Sequence, residues 1–393
     1  MDLVYVTSRF PFGPGEGFLG PEISAHLESG ANLRLFPMWP KGGAVHAYAH
    51  DFRAITEWAG PRPAATSAVR GAAGAPSEFA RRAVLASTSG RLAVRGRNIA
   101  VLPRAAALID VIRRRRPDHL HVHWGGASST VAMIASEVTG TPWSMTLHRW
   151  DIRANNLLAR KMSSACFTRV ISRAGAAQVA AIVPAAQPLV IHMGIDMPAP
   201  ADTEPTAQAE RIACIATLVP VKNHVGLLEA FREGLGDRDI GLDLVGDGPL
   251  REELRAHAAR LGLATRVRFL GTLDHGEVMR RLRSHEWSAV VLASGATEEA
   301  QEGVPVSLME AMASLVPVVA TDSGGTGELV GGGAGLLVPV GDRAALANAL
   351  RIIVLDAELR RSLALAGRRR VADSFDVEVV AAELRQHFSE CAA

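Results

Sequence analysis

The chain is poor in cysteine and has no long apolar run, and each absence removes a class of protein. Its three cysteines, Cys166, Cys214 and Cys391, are odd in number, scattered and without metal-ligand spacing. That excludes a disulfide-stapled scaffold and a cysteine zinc site, and free thiols in a reducing cytoplasm are expected. No apolar stretch approaches the roughly 18–20 residues of a membrane span. The start, Met1-Asp2-Leu3-Val4-Tyr5-Val6, lacks a basic n-region and reads as a first β-strand, not as a secretory leader. The first loop is rich in glycine (Gly13, Gly15, Gly17, Gly20), but the spacing does not fit the dinucleotide fingerprint of a dehydrogenase.

What is present is a chain of 393 residues, 48% hydrophobic and 21% charged. That is ample for two globular domains of roughly 150–200 residues each. The net charge of +2 hides an asymmetry: residues 1–200 carry 22 Lys/Arg against 12 Asp/Glu, and the remainder 20 against 28. Arg81, Arg82, Arg91, Arg95, Arg97, Arg104 and Arg113 to Arg116 hold most of the basic excess. Such a half suits either an anionic partner, a phosphate or a membrane surface, or a solvated arginine-rich helix face.

Short β-rich runs alternate with helical segments along the whole chain, the pattern of doubly wound parallel sheets. Leu3–Val6, Leu33–Phe36, His119–His123, Pro142–Asp151 (a strand ending in a polar loop), Val170–Ser172 and Leu189–Asp196 read as strands of a first domain, 1–198. Residues 58–80 read as a loose connection or helical hairpin. His119, His121 and His123 alternate on one strand face, but no carboxylate or cysteine follows at ligand spacing, so a buried strand is favoured over a metal site. A linker rich in Pro, Ala, Thr and acidic residues, 199–210, precedes a second domain, 211–375, and a last helix, 376–393.

The chain is organised around Thr297 to Val330. Glu302-Gly303-Val304-Pro305 closes an acidic loop, and Pro305 suits the first turn of a helix running Val306 to Ala313. Pro317-Val-Val-Ala320 is a buried strand, and Ser323-Gly-Gly-Thr-Gly-Glu328 is a glycine turn whose free N–H groups suit a phosphate. Glu302 and Glu310 are separated by seven residues and followed by Glu-Ala-Met-Ala, Pro-Val-Val-Ala and a Gly-Gly-x-x-Glu-type element. This ordered set resembles the signature of family-4 retaining glycosyltransferases of the GT-B fold. Further matches are Ala216 to His224, Val267 to Gly271 and Thr146-Leu-His148-Arg-Trp-Asp151. The first loop, with Glu16, Phe18, Glu22 and Ile23, is similar to that of the exopolysaccharide type.

The resemblance implies an α/β, GT-B architecture: two Rossmann-like domains facing a central cleft, with the last helix crossing back to the first. It implies metal-independent transfer of a hexose-type sugar from a UDP- or GDP-sugar to a hydroxyl acceptor, with retention. His148, Lys222 and Glu302 would be the catalytic set: His148 and Glu302 on the donor sugar, Lys222 on the diphosphate. Glu310 would bind the ribose, and Gly15, Gly17, Asp151, Thr217, Gly248, Gly303, Val304 and Pro305 would complete the donor site. Thr217 departs from the family, which has arginine there to share the phosphates with the lysine. No cofactor beyond the nucleotide-sugar substrate, no metal and no nucleic acid is implied. The acceptor would be a saccharide, a lipid-linked or cell-envelope one included, or a small aglycone, and the chain cytoplasmic with peripheral contact at the inner membrane face open to it. The alternatives are a GT-B nucleotide-sugar epimerase and a catalytically silent relative, the latter raised by Thr217.

Overall fold

The computed structural model describes residues 1–12, 16–40, 51–57, 66, 68–70, 72–74, 76–88, 92–199, 210–295 and 303–392. The chain divides into two compact units, Met1–Gly194 with Val377–Ala393, and Ile195–Asp376. Most of the expected linker, 199–210, and residues 58–65, 67, 71 and 75 of the 58–80 connection lie outside the described residues.

The first unit holds a parallel sheet of β1 (Asp2–Thr7), β2 (Asn32–Pro37), β3 (His119–His123), β4 (Trp143–Leu147), β5 (Phe167–Val170) and β6 (Leu189–Val190). Its order is β2-β1-β3-β4-β5-β6. Successive strand side chains point to opposite faces, and both faces are covered. Val4 and Val6 of β1 and Leu120 and Val122 of β3 pack with the helices Leu102–Arg115 and Ala127–Thr139. Leu3 and Tyr5 pack on the other face with Ile23 of helix Leu19–Glu28 and with Leu384 and Phe388 of helix Val377–Ala392. His119, His121 and His123 share this second face, where Tyr5 stacks obliquely on His121 at 5.0 Å.

The second unit is built the same way from β7 (Arg211–Ile215), β8 (Gly241–Val245), β9 (Val267–Gly271), β10 (Val290–Leu292), β11 (Val318–Thr321) and β12 (Leu336–Val338). The order is β12-β11-β10-β7-β8-β9, all parallel. These two sheets and their helices are the expected α/β class. Among the described residues no helix is long and apolar enough to cross a membrane.

Three local expectations need correction. Leu189–Asp196 is not one strand: only Leu189–Val190 joins this sheet, the Ile191 and His192 carbonyls are taken by the Arg169 guanidinium, and Ile195 makes a separate bridge with Asp376. The strand expected at Val170–Ser172 ends at Val170, and Ser172 instead caps helix Arg173–Ile182 by accepting the Gly175 N–H at 3.0 Å. The polar loop expected after Leu147 is a short helix, Arg149–Ala154, with the Asp151 carboxylate accepting the His148 N–H at 3.0 Å. A carboxylate in the first turn satisfies an otherwise orphaned donor and complements the helix dipole.

Candidate functional site

In an open parallel sheet, ligands bind outside the carboxyl ends of the strands where the strand order reverses. In the second unit that place is between β7 and β10, and the loops there are tied to one another. Gly295, after β10, donates its N–H to the Val221 carbonyl in the loop after β7 at 2.8 Å. The Gly295 carbonyl accepts the Ser323 hydroxyl, from the turn after β11, at 2.9 Å. After β8, a Cβ on Gly248 would meet the Leu218 carbonyl oxygen at 2.5 Å, so only glycine fits that approach. A Cβ on Gly325 would meet the Gly303 carbonyl at 3.0 Å.

This rim carries most of the second-unit residues the sequence points to. Lys222 ends a one-turn helix, Pro220–Lys222, and is half-buried; Thr217 is exposed in the same loop. Gly303 is exposed, while Val304 and Pro305 are buried, and Pro305 is the N-cap of helix Val306–Ala313. Glu310 projects from that helix with its side chain 15% exposed, and its Oε1 meets Nε2 of His275 at 2.9 Å. Beside Lys222, His224 is buried and neither ring nitrogen has a hydrogen-bond partner. Burial, then the Lys222 charge, pushes its pKa down to about 4. Glu302 and Gly15 lie outside the described residues.

In the first unit His148 is buried, with the Trp124 ring 4.3 Å and the Phe18 ring 5.5 Å from its own. Burial, followed by His123 and Arg169, holds its pKa well below the ordinary value, so the imidazole is neutral at pH 7. Burial raises Asp151 to about 6, against the N–H groups of Gly125 and His148 that favour its anion. Behind it, Lys161 donates to the Gly125 and Gly126 carbonyls at 2.8 and 2.7 Å. Gly17 is half-buried in the turn that opens helix Leu19–Glu28, with its carbonyl accepting the Gly20 N–H. Glu16 ties that first loop together, accepting from the backbone N–H of Ser8, Arg9 and Phe10 and from the Trp124 indole.

The histidine strand finds the carboxylate that its own neighbourhood in sequence lacks. Glu22, from helix Leu19–Glu28, lies 3.1 Å from His123 Nε2, and one ligand atom each of Glu22, His121 and His123 falls within 4.8 Å of the others. That spacing could hold an ion, but the charge there is already met. Arg169 Nη1 donates to Glu22 Oε2 at 2.7 Å, and His121 bonds Ser144 and Thr146. Burial alone would raise the Glu22 carboxyl; Arg169 and then His123 hold it well below the carboxylate range. A buried guanidinium beside the anion opposes a metal cation.

Residues 200–370 match the family model of glycosyl transferases group 1. The chain carries a group 1 glycosyl transferase domain on a GT-B fold. It is 29% identical to the 2-deoxystreptamine N-acetyl-D-glucosaminyltransferase of Streptomyces fradiae over 303 residues, 68% of this chain and 70% of that protein. A GDP-mannose-dependent phosphatidylinositol monomannoside mannosyltransferase of Corynebacterium glutamicum is 32% identical over 175 residues, less than half of either chain. The crystal structure of Anabaena HepE with UDP and glucose has the same fold, at a TM-score of 0.70 and 20% identity, covering 99% of this chain and 100% of that one.

Within the glycosyl transferase domain and the unit before it, sequence reading missed Arg169, Lys161 and His275. Arg169 and Glu22 are 147 residues apart and Lys161 and Gly125 are 36 apart, so no local pattern pairs them. The one available signal was an arginine directly before the expected strand Val170–Ser172, since a cation drawn into a sheet needs a partner.

Proposed function

We propose that this chain is a retaining, metal-independent glycosyltransferase that moves a hexose-type sugar from a UDP- or GDP-sugar to a hydroxyl acceptor. The observation that carries the reading is the linked rim at the carboxyl ends of β7, β10 and β11, with Lys222, the Ser323–Gly325 turn and Glu310 on it. Lys222 and the N–H groups of the glycine turn would take the diphosphate, where negative charge grows as the glycosidic bond breaks. Glu310 would accept from the ribose hydroxyls, and Glu302 and His148 would bind the donor sugar. The bond from the anomeric carbon to phosphate breaks, and the bond to the acceptor oxygen forms on the same face. The acceptor proton passes to the leaving phosphate oxygen, giving a nucleoside diphosphate and a glycoside.

The Streptomyces fradiae relative is named for an aminocyclitol acceptor and the Corynebacterium glutamicum one for a phosphoinositide. They support a natural-product aglycone and a lipid-linked saccharide respectively, the latter suiting the basic first half, a cytoplasmic location and contact with the inner membrane face. A thermal-shift screen of UDP, GDP and their sugar conjugates tests the donor. A nucleotide that binds the folded chain raises its melting temperature by mass action, and Glu310→Ala abolishes the shift. No shift with any nucleotide sinks the transferase reading and leaves the silent relative. Release of free sugar epimer without an acceptor would point to an epimerase.

A further inference from the structure

Helix Val306–Ala313 turns Leu308, Met309, Ala311 and Met312 into the core and leaves Glu310 at its edge. A glutamate there has three rotatable bonds, and freezing such a side chain on ligand binding costs entropy. In this structure it is already held: Oε1 faces His275 Nε2 at 2.9 Å. His275 is the first residue of helix His275–Arg283, whose N-cap Asp274 accepts the Glu277 N–H at 2.9 Å, so the imidazole, although 74% exposed, is carried on a fixed backbone. A carboxylate bonded through one oxygen leaves the other, Oε2, for a ligand hydroxyl.

We propose that His275 is a positioning residue for Glu310: it holds Oε1 so that Oε2 meets the ribose hydroxyls of the nucleotide, and it offsets the carboxylate charge beside a diphosphate. The inference rests on the reading of Glu310 as the ribose contact. The groups facing His275 agree with the second role. The Glu310 hydrogen bond, and beyond it the charges of Glu310, Asp196 and Asp274, raise the His275 pKa, with partial burial opposing. The protonated pair is therefore present below that raised pKa and lost as the pH rises through it, so nucleotide affinity falls in the same direction.

The test is calorimetric titration of the full chain with UDP and GDP at pH 6 and pH 8.5, alongside NMR titration of the His275 ring. His275→Ala should weaken the preferred nucleotide about fivefold at pH 6, as for one lost hydrogen bond, and less at pH 8.5. His275→Gln should recover most of the loss, because an amide also donates. In a Glu310→Gln background His275→Ala should cost nothing further, and the His275 titration should move to lower pH. A His275→Ala loss of equal size in both backgrounds, or none in wild type, overturns the proposal. If wild type binds no nucleotide, the transferase reading falls and this inference with it. If Glu310→Gln binds as wild type does, the ribose role of Glu310 falls first. If Glu310→Gln weakens binding and His275→Ala does not, only the His275 proposal is lost.

Discussion

The two sheets of this chain treat charge differently. In the first unit Glu22 and Arg169 sit inside, at 1% and 0% side-chain exposure, with His121, His123 and His148 around them and Lys161 buried nearby. In the second unit the core around β7–β12 is mostly aliphatic with Phe231, Trp287 and Phe375 in it, and buried Arg360 donates to the neutral carbonyls of Ile353 and Val354. There, buried Asp243 takes Arg211 and the Trp287 indole as partners, and Lys222, Glu310 and His275 lie at the loop rim. Charge buried inside a fold ties function to stability, because each ion is desolvated and tolerable only while its partner remains. Charge at a rim can be changed with little effect on folding. The first unit should therefore answer substitution by unfolding, and the second by losing ligand.

The sharpest way to break this contrast is Glu22→Ala, which strands Arg169 without a carboxylate. We expect a loss of about 3–5 kcal/mol, the usual cost of orphaning a buried charge. Hydrogen exchange should place that loss in the β1–β5 amides and spare β7–β12; a uniform or negligible change would remove the distinction. Asp151 gives the next effect. Its folded pKa is raised from 3.8 to about 6, so the folded state binds the proton more tightly. Its contribution is most favourable below the unfolded value and is lost as the pH rises from about 4 to 6, at most about 3 kcal/mol. Asp151→Asn should flatten that part of the stability profile in the first unit, and an unchanged profile would show that Asp151 titrates normally.

At the rim the effects should move to binding. Glu310→Gln should weaken the preferred nucleotide about 10- to 100-fold, the range for a hydrogen bond to a charged group. Its melting temperature without ligand should stay within about 2 °C of wild type; a larger fall would make Glu310 a folding residue. The smallest effect is a gain. Thr217 is exposed in the loop that carries Lys222, so Thr217→Arg should add a second cation and tighten nucleoside diphosphates about fivefold. No gain in a titration would mean that another group already covers the phosphates.

Much of this was legible in the residues. Alternating short apolar strands and helical runs dictate parallel sheets covered on both faces, since such strands are stable only when both faces are buried. The run from Pro305 to Glu328 carries its own helix start, buried strand and glycine turn, and each lies where local chemistry places it. The failures differ in cause: Ser172 and Asp151 cap helices through neighbours three residues away, and only the third is tertiary. Leu189–Asp196 has the composition of a strand, but Arg169 competes for its carbonyls, and nothing within the segment announces that competitor.

The sequence by itself determined the class of fold, the alternation that builds it and the motif-bearing loops of the second unit, because these depend on periodicities of a few residues. Tertiary structure alone decided that Glu22 would meet Arg169 and His123, that Lys161 would hold the Gly125–Gly126 turn, and that His275 would hold Glu310. Those partners come from separate elements, and only the order of strands in a sheet and the packing of helices on it fix which side chains meet.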